Sequence, residues 1–357
     1  MSLSRSIVEA VVEDVAFGGN GVARHEGKAV FIPFSIDGER VSARIVKEKK
    51  KFAEAALEKV IEPSPHRVEA PCRYFQRCGG CSYQHIDYGH QLEIKSRQVE
   101  QTLRRVGRLE KVPMQAIIPS PENYGYRNRI RMHIDNGVVG FYARDGHELI
   151  EIESCTIASS EVNEGLQRLR SRPVYDGDYT ISENTAGKFF EQTNYAVGEE
   201  MLALVGRLVK QGQSLLVDAY CGSGFFAKHL ADQFEKVVGI EENEHAVDYA
   251  RRTAAPNEQY IAGDVEYHLP DVLAAAEQGM TTLILDPPAI GITPRVSDLI
   301  LASMPGELVY VSCNPATLAR DLVHFCRSYE LLSVTPLDMF PQTAEIEVVA
   351  HLRKISR

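Results

Sequence analysis

Three groups of residues in this 357-residue chain have the types and spacing to do chemistry. The first is a thiol in VYVSCNPATLARD (309–321), where a β-branched run passes through Ser-Cys-Asn-Pro into helix-forming residues. Strand-to-helix turns in parallel α/β sheets open onto the ligand crevice, so Cys313 is a candidate nucleophile. From these thirteen residues alone, a buried cysteine acting as an apolar filler fits equally well.

The second group is a series of carboxylates at the ends of strand-like runs. Asp218 ends SLLVD and leads into Tyr220, Gly222 and Gly224 of DAYCGSG, where glycines let the backbone turn tightly toward a ligand. Glu241 ends KVVGIE, 23 residues on, where such folds use a carboxylate to bind ribose hydroxyls. Asp264 ends QYIAGD, and Asp286 ends TTLILD before Pro287 and Pro288. A lone GxG carries little information, but strand ends on one sheet edge converge on one crevice. The third group is CRYFQRCGGC (72–81), in which Cys72, Cys78 and Cys81 are separated by five and two residues, with Cys155 far along in IESCTIA. One thiolate loop plus a distant fourth thiol suits an iron–sulfur cluster or zinc, and spacing leaves both open.

The elements that must position these groups follow from periodicity. Residues 3–60 form short alternating segments punctuated by FGGNG and Asp-Gly, which predicts a small five-stranded barrel. EPSPHRVEAP (62–71) is a linker by its prolines, a helix is expected from about 87 to 108, and NRIRMHI, GVVGFYA and HELIEI read as strands. From about residue 199, strand-like and helix-like segments alternate, predicting a parallel sheet covered on both faces. LLSVTPLD and EIEVVAHLRK would complete it, with Glu345 and Glu347 leaving the same face of the last strand.

Composition is that of a globular protein, 44% hydrophobic and 25% charged, with no apolar run of membrane-spanning length and no signal-peptide core in MSLSRSIVEA. A cytoplasmic protein is expected. There, seven cysteines are better read as ligands or catalysts than as disulfides. The net charge of −10 is uneven: residues 1–155 hold 23 Lys+Arg against 21 Asp+Glu, whereas residues 156–357 hold 16 against 28. Positive runs at 44–51, 95–111 and 126–131 make phosphate contact a candidate role for Lys49, Lys50, Lys51, Arg127 and Arg129, each of which is otherwise ordinary surface charge.

The carboxylate series resembles the class I S-adenosylmethionine-dependent methyltransferases more than a dinucleotide-binding domain. With the cysteines added, nearly the whole chain resembles the RNA uracil-C5 methyltransferases. GGNGVARHEGKAVFIPFSIDGERVSARI is similar to their TRAM RNA-binding barrel, YRNRIRMHI and GFYARDGHELIEIESC to their middle domain, and YVSCNPATLARD to their catalytic loop. The resemblance implies three domains: a TRAM barrel (1–62), a central α+β domain with a 4Fe-4S cluster on Cys72, Cys78, Cys81 and Cys155 (63–198), and a Rossmann-like methyltransferase domain (199–357). It implies Cys313 as nucleophile, Glu347 as base, Asp286 on the uracil edge, and cofactor contacts from Gln192, Asp218, Tyr220, Gly222, Gly224, Glu241, Asp264 and Asp286. The implied substrate is RNA, of the 23S ribosomal type where barrel and cluster occur together, with the tRNA T-loop as the alternative. No membrane or obligate protein partner is implied.

Three positions depart from the family pattern. FFQxN is here FFEQTN (189–194), so Gln192 matches while the aromatic role falls to Phe190; Ala289 replaces the Arg after Asp-Pro-Pro; and Glu345 stands where His is common. Two rival classes are a cytosine-C5 or amino-group methyltransferase and a catalytically silent RNA-binding or assembly protein. Ala289, where an amino-group enzyme has an aromatic, and an intact Cys313 with Glu347 speak against them.

Overall fold

A computed structural model describes residues 6–183, 192–209, 214–275 and 280–355. The chain divides into two compact units: Met1–Gln98 with Glu122–Glu183 and Phe340–Glu345, and Val99–Pro121 with Asn184–Met339 and Ile346–Arg357. None of the described helices is long and apolar enough to cross a membrane.

The first unit opens with five strands, β1 (Ile7–Val15), β2 (Asn20–His25), β3 (Lys28–Pro33), β4 (Arg40–Glu48) and β5 (Phe52–Glu62), closed into a barrel in the order β1-β2-β3-β5-β4. This is the five-stranded barrel expected from the alternation. Its inward positions are mostly Val and Ala, among them Val8, Ala10, Val12, Ala23, Ala43, Ala53 and Ala55, because so narrow a barrel leaves room only for short side chains. Lys49, Lys50 and Lys51 lie exposed at the β4–β5 hairpin tip, where the Lys49 N–H donates to the Phe52 carbonyl (2.8 Å).

After the linker comes α1 (Tyr88–Arg105), which runs from the first unit into the second. Strands β6 (Arg129–Asp135), β7 (Val138–Tyr142), β8 (Leu149–Glu151) and β9 (Gly177–Ser182) then build an antiparallel sheet in the order β8-β7-β6-β9. Alternation along β6 turns Ile130, Met132 and Ile134 onto Val162, Leu166 and Leu169 of α2 (Ser160–Arg170).

Beyond Val99–Pro121, the second unit resumes with α3 (Tyr195–Leu208) and continues as β10 (Leu215–Ala219), α4 (Phe225–Leu230), β11 (Lys236–Glu241), α5 (Glu244–Arg252), β12 (Glu258–Ala262), α6 (Val265–Ala274), β13 (Thr281–Leu285), α7 (Pro294–Ser303), β14 (Glu307–Ser312), α8 (Pro315–Phe325), β15 (Tyr329–Leu337) and β16 (Glu347–Lys354). The sheet order is β12-β11-β10-β13-β14-β16-β15, and β16 runs antiparallel to both neighbours. β10, β13 and β14 are buried at every position, as parallel strands covered on both faces must be.

Two elements differ from the sequence expectation. The helix-like DVLAAAEQ run would begin a helix at Asp271, but α6 starts at Val265, capped by the Asp264 side chain on the Glu266 N–H, and runs through Pro270. β16 begins only at Glu347: Glu345 lies before the strand, exposed, its N–H donating to the Thr343 hydroxyl (3.1 Å), so the two glutamates do not share a strand face.

Candidate active site

Pairing within the second unit's sheet delivers the strand-end groups to one edge. Along β10, Asp218 stands level with Gly239 of β11 and Ile284 of β13, and the Asp286 N–H donates to the Ala219 carbonyl (3.3 Å). After Asp218 the chain reverses sharply, with Tyr220, Gly222 and Gly224 all at positive φ (66°, 54° and 89°). Glu241 fastens this turn: one carboxylate oxygen accepts from the Gly222 N–H (3.0 Å) and the other from the Asn243 N–H (2.8 Å). A Cβ on Gly222 would meet nothing within 4 Å, so the turn borders open space.

The electrostatics of this edge are those of a cluster of buried carboxyls, which suits a cation. Burial, with Asp286 and Glu241 nearby, pushes the Asp218 carboxyl up to about 8. Burial and Glu241 push Asp286 up to about 7. Asp218 Oδ2 accepts from the Ala227 N–H (2.9 Å), while Oδ1 has no hydrogen-bond partner among the described residues. A ligand with a positive charge and hydroxyl donors would satisfy that oxygen and relieve the carboxylate repulsion. Asp264 is exposed at the end of β12, where it caps α6. Gln192 packs at the start of α3, its Cβ 3.1 Å from where a Cβ on Gly198 would lie. Phe190 lies outside the described residues.

Cys313 sits exposed in the turn between β14 and α8. The turn is built locally: Asn314 caps the Ala316 N–H (3.0 Å), Pro315 occupies the first helical position, and the Ser312 hydroxyl bridges the Asn314 N–H and C=O. Asn314 Nδ2 (3.3 Å) and the Thr317 hydroxyl (3.2 Å) also donate to the Ala289 carbonyl, which ties the Cys313 turn to the Asp-Pro-Pro turn. The tie through Thr317 had no sequence signal; the Asn-Pro cap did.

Register links the Cys313 turn to the start of β16. Ser312 pairs with Val348 at the end of the antiparallel β14–β16 ladder, so Cys313 follows the last paired residue of β14 and Glu347 precedes the first residue of β16 paired to it. Glu347 is buried. The other two thiols of this unit are poor nucleophiles: burial and Asp218 push Cys221 up, and burial pushes Cys326 up to about 11.

In the first unit, the cysteine loop is pinned to β7, with the Gly79 N–H on the Tyr142 carbonyl (3.1 Å) and Cys78 bridged to Ala143. Cys155 is clamped by Asn163, which accepts from its N–H (2.7 Å) and donates to its carbonyl (3.0 Å). The four thiols feel one another: Cys72, Cys78 and Cys155 all raise Cys81, which burial chiefly pushes up to about 12. Among the described residues, no three His, Cys, Asp or Glu side chains are gathered closely enough to hold a metal ion. Arg127 and Arg129 are half-buried, and Arg127 Nε donates to the Arg129 carbonyl (3.1 Å).

Residues 2–57 match the TRAM domain family, and residues 171–262 and 268–355 match the family described as tRNA (uracil-5-)-methyltransferase. Uncharacterized RNA methyltransferases of Protochlamydia amoebophila and Bdellovibrio bacteriovorus are 30% and 33% identical, covering 98% of this chain and 98% and 95% of theirs. Among solved structures, the Pyrococcus abyssi tRNA (uracil-54, C5)-methyltransferase in complex with S-adenosyl-L-homocysteine is similar, with a TM-score of 0.73 and 25% identity over 97% of this chain and 100% of that one.

Proposed function

This chain belongs to the tRNA (uracil-5-)-methyltransferase family and is an RNA methyltransferase, and from that premise we propose that it methylates uracil C5 through a covalent adduct of Cys313. S-Adenosylmethionine is the donor, supplying an electrophilic methyl on a cationic sulfonium, which the Asp218, Glu241 and Asp286 edge with its unsatisfied oxygen suits. Gln192, Tyr220, Gly222, Gly224 and Asp264 complete the proposed cofactor contacts.

Uracil C5 is too weak a nucleophile to take a methyl group unaided. The Cys313 thiolate adds to C6, the C5–C6 π pair becomes an enolate, and C5 takes the methyl from sulfur, releasing the neutral thioether. Glu347 then accepts the C5 proton, and the returning electron pair expels the thiolate from C6. Asp286 holds the uracil edge. The observation that supports this reading is the β14–β16 register, in which Ser312, just before the exposed Cys313, pairs with Val348, just after the buried Glu347.

The division of labour follows the expected domains: residues 1–62 and the hairpin lysines for RNA, with Arg127 and Arg129 as further phosphate contacts; residues 63–198 for a 4Fe-4S cluster on Cys72, Cys78, Cys81 and Cys155; and residues 199–357 for methyl transfer. Support for the cluster comes from the thiol spacing of the sequence; among the described residues the thiols are not gathered closely enough to hold a metal ion. Its role would be structural, since none of the steps above moves an electron to or from a metal. The cysteine content of the sequence, better read as ligands and catalysts than as disulfides, supports a cytoplasmic location.

We take 23S ribosomal RNA as the substrate, on the combination of barrel and four-cysteine motif. A T-loop uridine of tRNA is the second reading, favoured by the likeness to the Pyrococcus abyssi enzyme. Mapping 5-methyluridine in RNA from cells with and without the protein separates them. Loss of one rRNA modification supports the first reading and loss in tRNA the second, whereas unchanged 5-methyluridine in both overturns the uracil assignment.

A further inference from the structure

The turn after Asp286 holds a feature that methyl transfer alone does not use. Pro288, Ala289 and Ile290 are all exposed, and among the described residues Ile290, at 76%, is more exposed than any other large apolar residue except Tyr175. A single exposed apolar side chain on a loop is ordinary. This one is set apart by how firmly its backbone is held.

The Ala289 carbonyl accepts from Asn314 and Thr317, as described above. The Ile290 carbonyl accepts from Arg320 Nη2 (3.0 Å), as does that of Ile292 (3.2 Å), and the Ile292 N–H donates to Asp321 Oδ2 (3.3 Å). Asp321 is itself fixed by the buried Tyr310 hydroxyl (2.7 Å). Between these anchors Gly291 closes the turn at φ 78°, its N–H on the Pro288 carbonyl (2.8 Å), and a Cβ there would lie 2.5 Å from Arg320 Nη2. Every anchor comes from α8 or its cap, the helix that begins two residues after the nucleophile. The apolar tip is therefore braced against the same element that fixes Cys313.

A uracil inside an RNA stack presents neither C6 to a thiolate nor C5 to a methyl donor, so the target base must leave its stack. Unstacking costs a few kcal/mol per step, and nucleic-acid-binding proteins offset it by inserting an apolar side chain such as Ile, Leu or Met into the gap. We infer that Ile290 is such a wedge, filling the place vacated by the target uridine and pressing on a base that flanks it in the RNA. The inference rests on the uracil-methylating reading and adds a positioning residue to it. An uncharged, rigidly presented tip suits the face of a base rather than a phosphate.

The test compares Ile290→Ala and Ile290→Leu with the unaltered enzyme on two RNAs carrying the mapped uridine: one with purine neighbours, and one with those neighbours replaced by abasic residues. With its side chain in solvent, Ile290 can be truncated without opening a cavity. Ile290→Ala should lower kcat/KM about 10- to 100-fold on the purine-flanked RNA, a fraction of the unstacking cost. It should leave the abasic-flanked RNA methylated at the unaltered rate and S-adenosylmethionine binding unchanged. Ile290→Leu should recover most of the loss. Equal rates for Ile290→Ala and the unaltered enzyme on stacked RNA, or an equal loss on both RNAs, would overturn the wedge while leaving uracil methylation standing. An unaltered enzyme inactive on both RNAs would overturn the two together.

Discussion

Replacing Asp286 with Asn should stabilise the ligand-free protein at neutral and alkaline pH while disabling it. Asp286 shares the strand edge with Asp218 and Glu241, and burial plus Glu241 raises its carboxyl from 3.8 to about 7. For an acid so raised, the folded state holds the proton more tightly than the unfolded chain. The penalty is therefore absent below pH 4, grows between about pH 4 and pH 7, and is complete above. At 1.36 kcal/mol per pH unit the full penalty is about 4 kcal/mol, an upper bound because neighbouring carboxyls titrate together with it. Asparagine cannot ionise, so at pH 8 the variant should gain some part of that figure, on the order of 2 kcal/mol, and at pH 4 nothing. Urea unfolding of both proteins without ligand at pH 4, 6 and 8 measures this. The same edge should bind cationic S-adenosylmethionine more weakly in the variant, seen by calorimetry at pH 8. Parallel stability profiles across that range would refute the claim that the edge is a strained cluster of like charges.

Glu347→Gln should permit thiol addition and methyl transfer but stall proton removal, so a methylated covalent enzyme–RNA complex should accumulate with natural uridine. Glu345→Gln should slow turnover without trapping, and labelled methyl retained by that variant instead would reassign the base. Protein purified without oxygen should be brown and hold about four iron per chain. Cys81→Ala and Cys155→Ala should each lose the iron, and stoichiometric zinc without sulfide in the unaltered protein would contradict a cluster.

Much of this arrangement is legible in the chain because short-range chemistry dictates it. Alternation with Gly and Asp-Gly turns writes a barrel, buried β-branched runs write a parallel sheet, and an acid at each strand end marks its open edge. The Asn314-Pro315 pair announces the helix cap beside Cys313. What escapes is set by partners distant in sequence. Glu345 fits a strand pattern by alternation, yet the Thr343 hydroxyl claims its N–H and the ladder to Leu337 and Ser312 starts only at Glu347 and Val348. Pro270 argues locally for a break, but the Asp264 cap and the buried Val265, Leu269 and Leu273 carry α6 through it. The bracing of Ile290 depends on Arg320 and Asp321, some thirty residues away, and no local pattern foretells it.

The central claim is that Cys313 bonds covalently to the target base, and trapping tests it most directly. RNA with 5-fluorouridine at the target position offers no C5 proton to remove, so after methyl transfer the thioether bond to C6 should persist. Incubated with S-adenosylmethionine, the unaltered protein should form a complex that survives denaturing electrophoresis and carries the RNA on the peptide containing Cys313, and Cys313→Ala should form none. An adduct that survives Cys313→Ala but vanishes with Cys221→Ala would move the nucleophile to the glycine turn and contradict the account.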